Sequence, residues 1–333
     1  MPEDSRPTET PSDAEWTTTH ERTPTTAAGT PTVAACQMTV ADLDVAANLA
    51  TIEERVAGLP PEVDIAVFPE YALTGFVADE RAREVALARD GETLDRLRET
   101  AAGTDTALLV GFVERAGEAS DADAGEASDA DAGEASDADA GEASDADAGA
   151  ASDADAGATY YNATAYLDPH GGDDAGGGKS HPVETTVYRK RHLWGNESEV
   201  LTPGDQRVTV KTPVGTAALL TCYDLNSVGE SAAFATPDVD ALFVVGAWPA
   251  AHSQNWKLLL RARALDGVRW VVGAGRTGQS TVGDPTEYAG RSRVVRPDGS
   301  VQAGLNRGER DLVAALDPAV LAECREFIPV LEE

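Results

Sequence analysis

Short apolar runs and longer amphipathic stretches take turns along this chain. TVAACQMTV, DIAVFPE, VGTAALLTCYD, DALFVVGAWP and WVVGAGRTG are dense in apolar and β-branched residues and predict strands. DVAANLATIEERVAGL repeats its apolar positions every three or four residues, which predicts an amphipathic helix. A helix is also expected over residues 80–102 and over SQNWKLLLRARALDGV. SRVVRPDGSVQA reads as a hairpin turning at Asp298-Gly299. Strands alternating with helices imply an α/β fold in layers.

Two stretches break this pattern. Residues 1–30 are rich in Pro, Thr and acids and lack apolar periodicity, so they are expected to form a disordered acidic tail. From Gly117 the unit GEASDADA recurs with starts at Gly125, Gly133, Gly141 and, as GAASDADA, Gly149. Each unit carries Gly, Ser and Asp, all weak helix formers, and no large apolar residue. Residues 117–157 therefore read as a solvated acidic loop, not a calcium-binding array, which would need apolar positions to close its coils. TALLVGFVERA before it and YYNATAYLDPHG after it read as the two strands of a hairpin with an inflated turn. One domain over residues 31–331, interrupted by that loop, is the expected organisation.

The charge balance sharpens the picture. Asp plus Glu number 58 against 26 Lys plus Arg, giving a net charge of −32. Such a surface repels nucleic acid and anionic membranes, so neither is expected as a partner. Only Lys179, Lys190, Lys211 and Lys257 are lysines. Abundant carboxylate with scarce lysine resembles the proteins of salt-loving microbes, where salt screens the repulsion over a Debye length of about 3 Å at 1 M. Cys36, Cys222 and Cys324 make neither a disulfide framework nor a CxxC zinc pair. With no apolar leader and no apolar run long enough to span a bilayer, the expected location is the cytoplasm.

Three polar residues stand at or near the ends of apolar strands: Glu70 after IAVFP, Cys222 after AALLT and Lys190 in TTVYRKRHLW. Singly each has a bland reading as a solvated charge or a small buried hydrophobe. Together they supply a base, a nucleophile and a cation. His192 opens a Cys–His alternative, set against a role in supporting the loop that carries Lys190.

FPEYALTGF, VYRKRHLWGNESEVLTPGD and LLTCYDL, in that order, resemble the three signature segments of the nitrilase, or carbon–nitrogen hydrolase, superfamily. GAWP, NWKLLLRARALDGVRWVVGAGRTG, GRSRVVRPDGSV and ECREFIPVL extend the likeness over roughly residues 32–331, the insertion apart. The resemblance implies a four-layer αββα sandwich that assembles as a homodimer or a higher homo-oligomer. By position it implies Cys222 as nucleophile, Glu70 as catalytic glutamate, Lys190 as catalytic lysine, and Glu197 beside them to position substrate. It implies no metal and no organic cofactor. The Tyr223 backbone N–H would join Lys190 in holding an oxyanion. Tyr71, next to Glu70, and Trp248, in GAWP, have two readings, as lining of the acyl pocket or as core aromatics at strand ends.

The activity implied is hydrolysis of a small linear amide through a thioester on Cys222, with ammonia released. N-carbamoyl amino acid hydrolysis and nitrile hydrolysis are alternatives on the same residues. A non-catalytic binding protein on this fold is the alternative from another class, and loss of one of the three residues would be its signature. The chain departs from its relatives at Asn226, where many carry arginine, and at Gly275, where many carry asparagine.

Overall fold

All six residues of strand β1 (Thr32–Gln37) are buried, three on each face. Val33 and Ala35 face one apolar cluster, Ala34 and Cys36 another. The period-two alternation therefore separates two cores. The computed structural model describes residues 29–117, 157–170, 183–283 and 285–331. Most of the tail expected at residues 1–30, and the repeat loop expected at 117–157 apart from its two end residues, lie outside the described residues.

β1 belongs to a six-stranded sheet with β2 (Ile65–Val67), β3 (Ala107–Ala116), β4 (Thr159–Asp168), β5 (Glu184–Arg189) and β14 (Arg310–Ala315), in the order β14-β1-β2-β3-β4-β5. A second sheet holds β6 (Thr209–Thr212), β7 (Gly215–Thr221), β8 (Ala241–Gly246), β9 (Trp270–Gly275), β12 (Arg293–Val295) and β13 (Val301–Gly304), in the order β13-β12-β9-β8-β7-β6. Short strands β10 (Thr277–Gln279) and β11 (Glu287–Ala289) pair apart from both. In each large sheet three neighbouring strands run parallel, β1-β2-β3 and β7-β8-β9, and the outer strands are antiparallel. Parallel neighbours need crossovers, and helices provide them.

The inter-sheet core joins Val33, Ile65, Val67 and Leu109 to Leu219, Phe243, Val245 and Val272. Outside the first sheet, α1 (Val45–Gly58) and α3 (Glu92–Thr104) bury Leu49, Ile52, Leu94 and Leu97 against Ala34, Ala66 and Leu108. Outside the second, α5 (Ser253–Asp266) buries Trp256, Leu260 and Ala264 against Leu220, Leu242 and Val244. The layers run α–β–β–α, as the resemblance implied. The strands flanking the repeat do pair antiparallel, from Leu108 opposite Leu167 to Ala116 opposite Thr159.

One helix differs from its expectation. Residues 80–102 form a single turn, α2 (Arg81–Glu84), and then α3 from Glu92. Between them Leu87 bridges to β3, its N–H donating to Val113 O at 2.9 Å and its carbonyl accepting from Arg115 N at 2.9 Å. Arg89 pairs with buried Glu114 at 2.9 Å. A strand-edge bond and a buried ion pair outweigh helix continuity, and the Gly91 N-cap restarts the helix. WVVGAGRTG also splits, into β9 and β10, at Arg276. A last helix α6 (Pro318–Phe327) starts on the Asp317 cap, and α4 (Val228–Ala233) packs on α5.

Candidate active site

Glu70 lies three residues beyond β2 in a loop pressed onto β3. The close approach is set by Gly111, where a Cβ would fall 2.6 Å from Pro69 O and Tyr71 N. Lys190 follows β5 directly, its N–H bonded to Asn162 O at 2.7 Å and its carbonyl to Gly204 N at 2.8 Å. The preceding Arg189 pairs with Glu114 at 2.7 Å, so the strand end that presents Lys190 is anchored.

Cys222 opens a 3-10 turn, Cys222–Asn226, at the end of β7. Its φ is 48°, a left-handed conformation that a non-glycine residue adopts only when its surroundings hold it there. Asp224 does much of the holding. Its Oδ2 accepts from Thr221 N at 3.0 Å and Tyr188 OH at 2.7 Å, and its Oδ1 from His192 N at 2.9 Å. The His192 ring nitrogen Nδ1 also lies 3.0 Å from Asp224 Oδ1. That imidazole therefore braces the turn, in line with the loop-supporting reading and not with a Cys–His pair.

These elements bring four side chains into one buried cluster. Lys190 Nζ lies 2.9 Å from Glu70 Oε1, and 2.9 and 2.8 Å from the two oxygens of Glu197. Glu70 is 2% exposed, Lys190 1%, Glu197 4% and Cys222 8%, so water barely screens these charges. Glu70 Oε2 accepts the Ala247 N–H at 2.7 Å, and Glu197 Oε2 the Trp194 N–H at 2.7 Å. Tyr71 donates a short bond from its hydroxyl to Glu197 Oε1.

The electrostatics follow from burial. Desolvation, and after it the Glu70 carboxylate, push the Cys222 thiol well above its ordinary value, and the Lys190 charge offsets only part of this. Burial alone would lower the Lys190 ammonium, yet Glu70 and Glu197 outweigh it and hold it above the usual lysine range. Burial and the Glu197 and Glu70 charges raise the Tyr71 phenol, keeping it a donor. The thiol thus keeps its proton at rest, and that one proton can pass to Glu70 as sulfur attacks.

A profile of the carbon–nitrogen hydrolase family matches residues 32–131 and 142–326. The chain belongs to the carbon–nitrogen hydrolase family. It is similar to an (R)-stereoselective amidase from Pseudomonas sp, 25% identical over 292 residues that span 88% of this chain and 87% of the relative. It is also similar to omega-amidase YafV of Escherichia coli (strain K12), 34% identical over 149 residues. That second match spans 44% of this chain and 57% of the relative. A carbon–nitrogen hydrolase superfamily protein of Xanthomonas campestris shares the fold with TM-score 0.69 and 22% identity, over 91% of this chain and 96% of that one. A nitrilase superfamily member from Saccharomyces cerevisiae does so with TM-score 0.67 and 23% identity, over 90% and 94%.

For a carbon–nitrogen hydrolase, the remaining expected residues fall as follows. Tyr71 stacks on Phe76 with centroids 4.6 Å apart and reaches Glu197, so it packs directly against the cluster. Trp248 packs in one apolar cluster with Cys222, its ring 5.6 Å from Trp256. The Tyr223 side chain is 37% exposed. Its N–H sits second in the 3-10 turn, where such groups have no acceptor inside the turn.

One of the two departures from this family's usual text has a packing reason. At Gly275 a Cβ would stand 2.2 Å from Gly290 O, so asparagine does not fit between these backbones. Asn226 closes the Cys222 turn, its Nδ2 donating to Tyr223 O at 3.3 Å, and Arg263 of α5 donates to the neighbouring Leu225 O at 3.0 and 2.8 Å. Reading the sequence missed Asn162, Asp224, the Ala247 N–H and Tyr288. Burial raises the Tyr288 phenol, and Arg276 lies 4.0 Å from its ring centroid. For Asn162 a signal existed: a lone amide inside the apolar strand YYNATAYL.

Proposed function

We propose that this chain is an amidase that hydrolyses a small linear amide through a thioester on Cys222. The observation that carries the reading is the convergence of strand ends from both sheets, with Lys190 Nζ 2.9 Å from Glu70 Oε1 and Cys222 buried beside them, near enough for the Glu70 charge to raise its thiol. The names of the relatives support it. One is an (R)-stereoselective amidase, one an omega-amidase, and one from Bacillus subtilis a 2-oxoglutaramate amidase. A variant of the amidase from Nesterenkonia sp. AN1 carries the acetamide moiety of fluoroacetamide on its active-site cysteine.

The hydrogen bonds suggest which oxygen acts. Glu70 Oε1 accepts from Lys190 and Asn162, which fills its two lone pairs. Among the described residues Oε2 accepts the Ala247 N–H, which leaves it a lone pair for the thiol proton. Glu70 Oε2 takes that proton as sulfur attacks the amide carbon, and the C=O π pair moves onto oxygen. The Tyr223 N–H and Lys190 would hold this oxyanion, each donor worth about 3–4 kcal/mol. Collapse expels the nitrogen, which leaves as ammonia with the proton from Glu70. Glu70 then deprotonates water, which attacks the thioester carbon. The thiolate departs, regains its proton, and the carboxylic acid is released.

Ammonia release from a panel of amides, N-carbamoyl amino acids and nitriles, at high salt, tests the reading. Turnover of simple amides that disappears in Cys222→Ala supports it. Full turnover in that variant overturns it. N-carbamoyl substrates alone would redirect the assignment within the family.

Three wider attributes belong to the same proposal. The net charge of −32 supports a salt-adapted protein. Exposed apolar side chains on neighbouring helices, Val228 at 71% and Leu258 at 66%, support a homodimer or larger homo-oligomer. No helix of the described residues is long and apolar enough to cross a membrane, and a cytoplasmic enzyme is the reading adopted.

A further inference from the structure

Asn162 stands in the middle of the cluster and is fully buried in β4. Its Nδ2 carries two hydrogens and meets two carboxylates, Glu70 Oε1 at 2.8 Å and Glu197 Oε1 at 3.0 Å. Its Oδ1 is buried and takes no hydrogen bond among the described residues. Turning the amide over would set that carbonyl against both carboxylates, so the orientation is fixed by charge. A buried carbonyl left without a donor is costly, and the site tolerates it for the sake of the two N–H bonds.

The donors on Lys190 are fully engaged. An ammonium has three N–H bonds, and Nζ faces Glu70 Oε1, Glu197 Oε1 and Glu197 Oε2. To meet an oxyanion it must release one of them. Glu197 Oε1 is the crowded acceptor, with Lys190, Asn162 and Tyr71 all donating to it. Two lone pairs suit two donors. If Lys190 lets go of this oxygen, Asn162 and Tyr71 still satisfy it, while Oε2 keeps the Trp194 N–H.

We infer that Asn162 is a positioning residue: it holds the Glu70 and Glu197 carboxylates together while Lys190 turns from Glu197 to the developing oxyanion. The inference rests on the roles proposed above for Glu70, Lys190 and Cys222. Removing the amide donors leaves Glu70 Oε1 one bond short, and leaves Glu197 Oε1 satisfied only while Lys190 stays on it beside Tyr71. The lysine is then pinned between them, and the two negative charges lose their bridge.

The test compares wild type with Asn162→Ala and the near-isosteric Asn162→Asp, which keeps size but lacks the paired N–H donors. Active sites are counted by alkylating Cys222 to completion with iodoacetamide, and kcat is expressed per site. Both variants should lose about 100-fold in kcat with KM within about threefold, and single-turnover kinetics should place the loss in acylation. Their initial alkylation rates should also fall about tenfold, since the base is no longer held against the thiol. A purely structural role predicts a lower thermal midpoint and fewer alkylatable sites, with kcat per site unchanged, and that outcome overturns the inference. If the wild type hydrolyses no amide, the amidase reading fails on its own. The alkylation rates still decide this case, because equal rates in wild type and Asn162→Ala overturn it. Should Asn162→Asp not fold, the alanine variant gives the same comparison.

Discussion

The hydroxyl of Tyr188 donates to Asp224 Oδ2 at 2.7 Å, a bond that helps tie the two sheets together at the site. Tyr188 lies in β5, two residues before Lys190, and Asp224 lies two residues after Cys222. The base-and-cation side of the cluster is thereby registered against the nucleophile turn. Tyr188→Phe leaves Asp224 one donor short in a buried position. A loss of about 1–3 kcal/mol in stability is expected. The ammonia-release rate should fall by about tenfold because the turn is less firmly held. Thermal melting and kinetics on the same sample check both effects.

The buried charges predict different failures for different substitutions. Glu70→Gln removes the base but keeps the shape, so activity should drop by about 10²–10⁴-fold with little change in melting temperature. Lys190→Ala strands two buried carboxylates. It should lose activity and also destabilise the fold by about 3–5 kcal/mol. Urea unfolding of the two variants separates the cases, and equal stability would contradict the charge arrangement.

His192 gives a pH signature. Its hydrogen bond to Asp224, less a burial penalty, raises the imidazole above its ordinary value. A raised folded value means that its stabilising contribution is complete below the unfolded pKa, about 6.5. That contribution is lost as pH rises through the higher folded value. The difference in thermal midpoint between wild type and His192→Ala should therefore shrink as pH increases above about 6.5. A difference that is flat with pH would show that the ring braces the turn without titrating.

The acidic repeat can be tested by removal. Ala116 pairs with Thr159 at the ends of β3 and β4. Deleting residues 118–157 joins Gly117 to Ala158, leaving a two-residue connection that begins with glycine, as a type II′ hairpin turn requires. If the repeat is a solvated loop, ammonia release should remain within about twofold, since loop closure varies only logarithmically with length. Lost turnover would assign the repeat a part in the site.

Salt should act on the whole molecule. With 58 acidic against 26 basic side chains, self-repulsion is strong in dilute buffer and screened in molar KCl. The thermal midpoint is expected to rise with KCl. Equal midpoints would sink the salt-adapted reading.

Much of this was legible in the residues. The apolar runs marked β1, β7, β8 and β9 because strands buried on both faces have no polar alternation to disguise them. Glu70, Lys190 and Cys222 could be singled out because each sits in a distinctive string. Asn162 escaped because a single amide declares no partner until strand pairing places it opposite Lys190 and near Glu197. Asp224 escaped for a related reason, since its donors Tyr188 and His192 come from the other sheet. Residues 80–102 carried helical periodicity, and tertiary bonds that the sequence does not display, Leu87 to β3 and Arg89 to Glu114, broke it. Gly275 stood out only as a departure from the family's text and is a packing requirement, visible once Gly290 lies against it.

Glu70 and Lys190 ride on one sheet and Cys222 on the other, so the apolar filling between the sheets acts as a spacer for the reaction. Leu219, Phe243 and Val272 lie in the inter-sheet core, and their volume sets how far sulfur stands from its base. Trimming a methylene there changes a catalytic distance before it threatens the fold. Turnover in this molecule is in effect a ruler laid across its own core.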